Sequence, residues 1–182
     1  MAGLNKRTLQ RIRVPLGFVF AAIFIVFSRP TLLTLVGGGV IAALGIAIRA
    51  WASGHIQKAK VLATSGPYGY TRNPLYLGSF VLGVGFTIAA GVWWLALIFI
   101  ALYLGIYLPV MRVEEDDISR IFGAEFDGYR RNVPLFVPRF TVWKATGTKF
   151  DPALYFRYRE YRAGLGALIA IALLAAKGWY LG

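Results

Sequence analysis

Four acids stand in a row, Glu114-Glu115-Asp116-Asp117, directly after an apolar block. All eight acids of the chain fall between Glu114 and Glu160, in a sequence with 20 Lys and Arg and a net charge of +12. Carboxylates set against that basic trend give a physical reason to expect a cationic ligand; a solvated helix start is the plainer use of the same residues. Arg112 and Arg139 carry the planar fork that orients a carboxylate or phosphate, and they serve equally as anchors at a membrane edge. A second polar stretch, Ser53 to Asn73, is dense in Gln, Arg, Asn and Tyr. Its Ser65-Gly66-Pro67-Tyr68 is turn chemistry, and Asn73-Pro74 opens the next apolar block with Pro in a first-turn position. The chain has no cysteine, which excludes disulfides, thiolate chemistry and Cys-based metal sites. Its single histidine, His55, argues against a histidine metal cluster and reads as structural or exposed rather than catalytic.

The elements that must position these residues are membrane helices. Hydrophobic residues make up 58% of the chain and charged ones 15%, against about 45–50% and about 25% in a soluble domain. The apolar residues come in blocks, Val14–Phe27, Thr31–Ile48, Pro74–Ala90, Val92–Val110 and Leu165–Leu181, near the ~20 residues a span needs. The fold class is therefore all-α, a polytopic integral membrane protein with about five transmembrane helices plus a cytoplasmic amphipathic helical segment. The expected layout is a single membrane domain over residues 1–182. It comprises a four-helix core (14–110) holding a loop at 54–73, a cytoplasmic helical segment (111–163) and an additional C-terminal span (164–182). Short turns predict antiparallel hairpins of the first with the second block and of the third with the fourth. Gly38/Ala42, Gly39/Ala43 and Ala101/Gly105 have the small-residue spacing of close helix packing, and Pro109 is expected to kink the fourth span. Ile118, Ile121, Phe122, Phe126 and Tyr129 fall at helical spacing and predict an amphipathic helix on the membrane surface.

Charge sets the expected orientation. With the N-terminus cytoplasmic, 18 of the 20 Lys and Arg lie on the cytoplasmic side and only Arg29 and Lys177 lie opposite, as the positive-inside rule requires. Both polar stretches then share the cytoplasmic face and the C-terminus lies outside. No small-residue cleavage site follows the basic start, so the first block reads as a retained span. The basic residues flank apolar blocks rather than striping a soluble face, which speaks against a nucleic-acid partner.

Read together, the two stretches resemble the isoprenylcysteine carboxyl methyltransferase and phospholipid methyltransferase superfamily. The residues that carry the resemblance are Thr64-Ser65-Gly66-Pro67-Tyr68, Arg72-Asn73-Pro74-Leu75-Tyr76-Leu77-Gly78, Glu114-Glu115, Phe122-Gly123, Tyr129 and Val133-Pro134. Asn73 stands where the family often has His, which removes a titratable group, and Phe126 replaces a Tyr. The resemblance implies S-adenosylmethionine as cofactor, in a pocket between the third and fourth spans and open to the cytoplasm. It implies a pocket edge from Gln57, Lys60, Val61, Leu62 and Ala63, and walls from Tyr68, Asn73, Pro74 and Tyr76. Glu114 and Glu115 are implied to hold the positively charged end or the ribose, with Arg112 or Arg139 orienting the substrate. Interfacial anchoring is the plainer role for Tyr68 and Tyr76, and a solvated loop for Gln57 and Lys60.

The implied activity is methyl transfer to a lipid-like acceptor, a prenylcysteine carboxylate or a phospholipid amine, with membrane lipids as surroundings and no metal. Two other readings compete. An NADPH-dependent reductase of the sterol-reductase type needs more clustered cations than Lys58, Lys60 and Arg72 provide. A non-enzymatic membrane scaffold or transporter subunit predicts no affinity for S-adenosylmethionine, and the third and fourth blocks carry no mid-span charge of the kind a transport pathway uses.

Overall fold

The computed structural model describes residues 6–56, 61–144 and 148–181. Among them the chain forms seven α-helices and one 3-10 turn: α1 (Lys6–Phe27), α2 (Leu32–Ser53), the turn at Gly66–Gly69, α3 (Pro74–Ala89), α4 (Trp93–Phe122), α5 (Ala124–Asn132), α6 (Pro152–Arg157) and α7 (Tyr161–Leu181). The protein is an all-helical polytopic membrane protein. Three helices, α2, α4 and α7, are long and apolar enough to cross a bilayer, and α3 is apolar but shorter. With 16 residues, α3 is ~24 Å long at ~1.5 Å per residue, short of a hydrocarbon layer of about 30 Å. Helix α4 has 30 residues and so is ~45 Å long. Its last turns project past the start of α3 and carry the four acids on a helix rather than in a loop.

The helices pack α1 against α4, α4 against α3, α3 against α2, and α7 against α2 and α3. The most extensive interface is α2 with α3, and glycine creates it. A Cβ added at Gly38 would strike the Ala89 and Gly85 backbone, one at Gly45 would strike the Leu82 nitrogen, and one at Gly85 would strike the Ala42 nitrogen. Gly38, Ala42 and Gly45 thus face Gly78, Gly85 and Ala89 backbone to backbone, the packing that small residues permit in membranes.

Three expectations need correction. The short turn after α1 does not fold α1 onto α2; among the described residues α1 lies against α4. The connection instead docks on the far turn of the bundle, where the Arg29 amide donates to the Ala90 carbonyl at 2.7 Å. Gly39 and Gly105 face open space, so neither Gly39/Ala43 nor Ala101/Gly105 makes a close approach between helices. Ile121 is exposed: the predicted single amphipathic helix breaks at Gly123, which takes φ +51, and α5 folds over the side of α4 that carries Ile118 and Phe122, leaving Ile121 at its edge. The other four residues do pack together. Phe126, Tyr129, Val133 and Leu62 form a small core outside the spans, with Ile118, Phe122 and Trp143 against it.

Candidate functional site

The beginning of α3 and the projecting end of α4 meet at the polar end of the bundle. Asn73 precedes α3 as its N-cap residue, and Pro74 occupies the first turn, where its missing N–H costs nothing. The Asn73 side chain does not cap the helix; its Nδ2 donates to the Leu135 carbonyl at 3.0 Å. Around it residues 69–73 lie alongside 134–143. The Arg72 amide donates to Pro134 O at 2.9 Å, the Arg139 amide to Tyr70 O at 3.0 Å and the Trp143 amide to Gly69 O at 3.0 Å. The buried Thr71 hydroxyl donates toward Leu135 O at 3.3 Å and Phe136 O at 3.0 Å. The two polar stretches therefore satisfy each other's backbone groups, as buried polar backbone near membrane depth must.

Two contacts join α3 to the acids of α4. The Tyr76 hydroxyl donates to Glu114 Oε1 at 3.0 Å. Arg72 Nε lies 2.7 Å from Glu115 Oε1, with the two side chains only 10% and 12% exposed. Neither of those two buried atoms has an aligned hydrogen-bond partner, so the contact is a charge pair rather than a well-aligned hydrogen bond. Burial lowers the affinity of the Arg72 guanidinium for its proton, and Glu115 works in the opposite direction. From α4, the Tyr103 hydroxyl donates to the Tyr76 carbonyl at 2.6 Å, and Tyr107 packs at 5.6 Å from the Tyr76 ring. Tyr76 is thus held at both its backbone and its ring.

Tyr68 sits in the 3-10 turn, 5% exposed. Its carbonyl accepts from the Tyr129 hydroxyl at 2.7 Å, which ties the turn to α5. Its own hydroxyl is buried without a hydrogen-bond partner among the described residues. Burial, reinforced by nearby Tyr129 and Glu160, raises its pKa well above the ordinary tyrosine value, so it is a neutral donor. The turn depends on Gly66, whose φ is +56 and whose absent Cβ leaves room for the His55 ring. His55 Nδ1 lies 3.1 Å from Ser65 Oγ. The expected turn and the structural reading of His55 both match this arrangement.

Tyr68, Asn73, Pro74, Tyr76, Glu114 and Glu115 accordingly belong to one end of the bundle. Leu62 is buried in the small core beside α5, Val61 is exposed and Ala63 is partly exposed; Gln57 and Lys60 lie outside the described residues. Arg112 is exposed on α4. Arg139 is engaged structurally: its guanidinium donates to the Asn132 carbonyl at 2.7 Å and to Thr141 Oγ1 at 3.1 Å, at the negative end of the α5 dipole. Among the described residues no group of three or more His, Cys, Asp and Glu could hold a metal ion. A cavity of about 280 Å³ lies beside the small core, between Leu62, Thr64, Gly128 and Trp143.

Sequence reading passed over two residues that matter. Arg49 and Glu160 form a bidentate ion pair behind α3. An arginine inside an apolar helix was the available signal, since an ionisable residue in a span is a functional-site candidate by default. Arg72 belonged to the motif but gained its partner only in three dimensions.

Comparison with known proteins adds an independent line. Residues 31–125 match the family model described as phospholipid methyltransferase, a range that holds Tyr68, Arg72, Tyr76, Glu114 and Glu115. A nickel-cobalt-cadmium resistance protein, NccN, of Alcaligenes xylosoxydans xylosoxydans is 36% identical over 102 residues, 55% of this chain and 47% of that protein. A cobalt-zinc-cadmium resistance protein, CzcN, of Cupriavidus metallidurans is 34% identical over 158 residues, 79% of this chain and 71% of that protein. The protein-S-isoprenylcysteine O-methyltransferase of Schizosaccharomyces pombe is 26% identical over 137 residues, 72% of this chain and 58% of that protein. The chain thus spans about half the length of the first of these relatives. No solved structure matches.

Proposed function

The chain belongs to the phospholipid methyltransferase family, and from that premise we propose that it transfers a methyl group from S-adenosylmethionine to a lipid-like acceptor at the cytoplasmic membrane face. The observation that carries the proposal is the joining of Tyr76 to Glu114, and of Arg72 to Glu115, at the polar end of α3 and α4.

The residues present fit a cationic nucleoside. Buried polar atoms normally have partners, yet the Tyr68 hydroxyl is buried without one among the described residues. It offers a neutral donor to a polar ligand, beside the Arg72–Glu115 charge pair. Glu114 adds exposed negative charge beside the Tyr76 ring. S-adenosylmethionine, when bound, supplies a methyl group already activated by a cationic sulfur. The protein's work is then to orient and to keep water out. Glu114 and Glu115 hold the positive end or the ribose; Tyr76, fixed from both sides, and Tyr68 supply walls; Gln57, Lys60, Val61, Leu62 and Ala63 form the edge. Asn73 and Pro74 set where α3 begins, and Asn73, being neutral, serves by hydrogen bonding and not by proton transfer.

The single membrane domain, with its cytoplasmic N-terminus and outward C-terminus, rests on the lysine and arginine asymmetry. That orientation puts the site where a cytosolic cofactor reaches it, while the short α3 brings the same site near the level of lipid headgroups. The acceptor class, prenylcysteine carboxylate or phospholipid amine, is decided by assay. Purified protein in lipid nanodiscs should transfer labelled methyl from S-adenosylmethionine to one acceptor among extracted membrane lipids and prenylcysteine analogues, with the product identified by mass. No labelled lipid product from any of them would refute the proposal.

A further inference from the structure

The family match ends at residue 125, yet the segment beyond the small core returns to the back of the site. The Asp151 amide donates to the Gly54 carbonyl at 3.0 Å, and the Phe150 ring fills the space a Cβ on Gly54 would need, 6.5 Å from the His55 ring. Asp151 then caps α6 through the Ala153 amide at 2.8 Å, and after α6 the chain reaches Glu160.

Glu160 meets Arg49 of α2 in a two-pronged contact. Arg49 Nη2 donates to Oε1 at 3.0 Å and to Oε2 at 2.8 Å, and Nε donates to Oε2 at 3.1 Å. The pair is largely shielded, with side chains 22% and 13% exposed. The remaining prong of the guanidinium points into α3. Arg49 Nη1 donates to Ser79 Oγ and lies 3.5 Å from the Leu75 carbonyl, which also accepts from Ser79 Oγ at 2.9 Å. Leu75 immediately precedes Tyr76, and Gly78 is the residue that lets the Arg49 stem approach, since a Cβ there would come within 2.6 Å of Arg49 Cγ. A guanidinium presents donors in a fixed plane. Locking one edge on Glu160 therefore fixes the direction of the other edge, and with it the first turn of α3.

We infer that Glu160, acting through Arg49, is a positioning residue for Tyr76, so that the segment leading into α7 completes the site instead of serving only as an extra membrane anchor. The inference rests on the methyltransferase reading for its ligand but not for its geometry. Glu160 also lies near enough to the buried Tyr68 hydroxyl to disfavour its ionisation, which places the same carboxylate behind both tyrosines of the site. The opposite end of α7 supplies a control. There Lys177 Nζ donates to the Ile25 and Val26 carbonyls and to Ser28 Oγ, holding α7 to the end of α1, remote from the site.

The test uses the full chain in nanodiscs, with S-adenosylhomocysteine as the probe. Glu160→Gln should weaken its binding about tenfold or more, as a displaced contact does, and Glu160→Asp should restore part of the loss. Lys177→Met should lower thermal stability yet leave affinity within about twofold. Unchanged affinity in Glu160→Gln, or an equal loss in Lys177→Met, would overturn the inference. If the wild-type protein does not bind the probe, the functional reading fails by itself. The clamp is then judged by hydrogen exchange over residues 73–79: faster exchange in Glu160→Gln supports it, and wild-type exchange overturns it. Should Glu160→Gln not fold, Ser79→Ala removes one arm only; it should speed exchange in the same segment, and no change there would likewise count against the clamp.

Discussion

Breaking the Arg72–Glu115 pair one partner at a time gives the most quantitative check on the site's electrostatics. At 2.7 Å and an effective dielectric of about 20, the gross attraction is ~6 kcal/mol. Desolvation of two largely buried charges offsets much of that, so the net worth of the pair is small. The cost of leaving one charge alone is not small, about 3–5 kcal/mol for a buried partner. The 10% and 12% exposure of the two side chains places each single change at the lower edge, about 3 kcal/mol. Arg72 in Glu115→Gln keeps its bond from Nη1 to the Arg130 carbonyl at 3.1 Å, which softens the loss further. The double variant Arg72→Gln/Glu115→Gln buries no net charge and, because the net worth of the pair is small, should cost less than either single change. The expected coupling is thus about 3 kcal/mol or more, at or above the top of the range for interacting neighbours. Denaturant unfolding in mixed micelles measures all four corners of the cycle. Additivity within about 0.5 kcal/mol would show that the two groups do not sense each other, and the site as described would not exist.

Gly45→Val should prevent α2 from seating on α3, costing about 3 kcal/mol or more by overpacking, whereas Gly39→Val, which faces open space, should leave unfolding unchanged; equal effects in the same denaturation assay would contradict the interface. Tyr129→Phe removes the 2.7 Å bond to the Tyr68 carbonyl and should cost about 1 kcal/mol, read as a lowered melting temperature; an unshifted transition would show that α5 does not hold the turn. Burial lowers the pKa of His55 from its usual value, so the folded state favours the neutral ring. Its contribution is complete above the unfolded value of about 6.5 and is lost as pH falls below it. Stability should decline with acid across that window, more steeply than in His55→Gln, and identical slopes would remove His55 from the account.

The helical class and the grouping of polar residues were legible because they rest on composition and charge. Long apolar blocks have few alternatives to helices, and acids confined between Glu114 and Glu160 must share a face. Pairing between helices was less legible. The short turn after α1 suggested a hairpin, but α1 lies against α4 among the described residues while α2 packs on α3 and α7, because a short connection fixes where two helices meet at one end and not the side on which they lie. Of three small-residue pairs, only Gly38/Ala42 lies at an interface, because the spacing permits close approach without saying which side of the helix meets a partner. The amphipathic stripe from Ile118 to Tyr129 held at four of its five positions and failed at Ile121, since the chain turns at Gly123 and α5 packs on the Ile118 and Phe122 side of α4. In the site, the motif residues were readable one by one. Arg72 with Glu115 and Arg49 with Glu160 were not, since their separation along the chain hides each partner until α3 is set beside α4 and the segment leading into α7 beside α2.

The central claim is that the start of α3 and the end of α4 together hold a sulfonium nucleoside, and calorimetric titration with S-adenosylmethionine tests it most directly. The wild-type protein in nanodiscs should show a single saturable site, and the double variant Tyr76→Ala/Glu114→Gln should bind at least about tenfold more weakly, a change of about 1.4 kcal/mol, while keeping its unfolding transition. Absence of binding by the wild-type protein, or full affinity in the double variant, would contradict it.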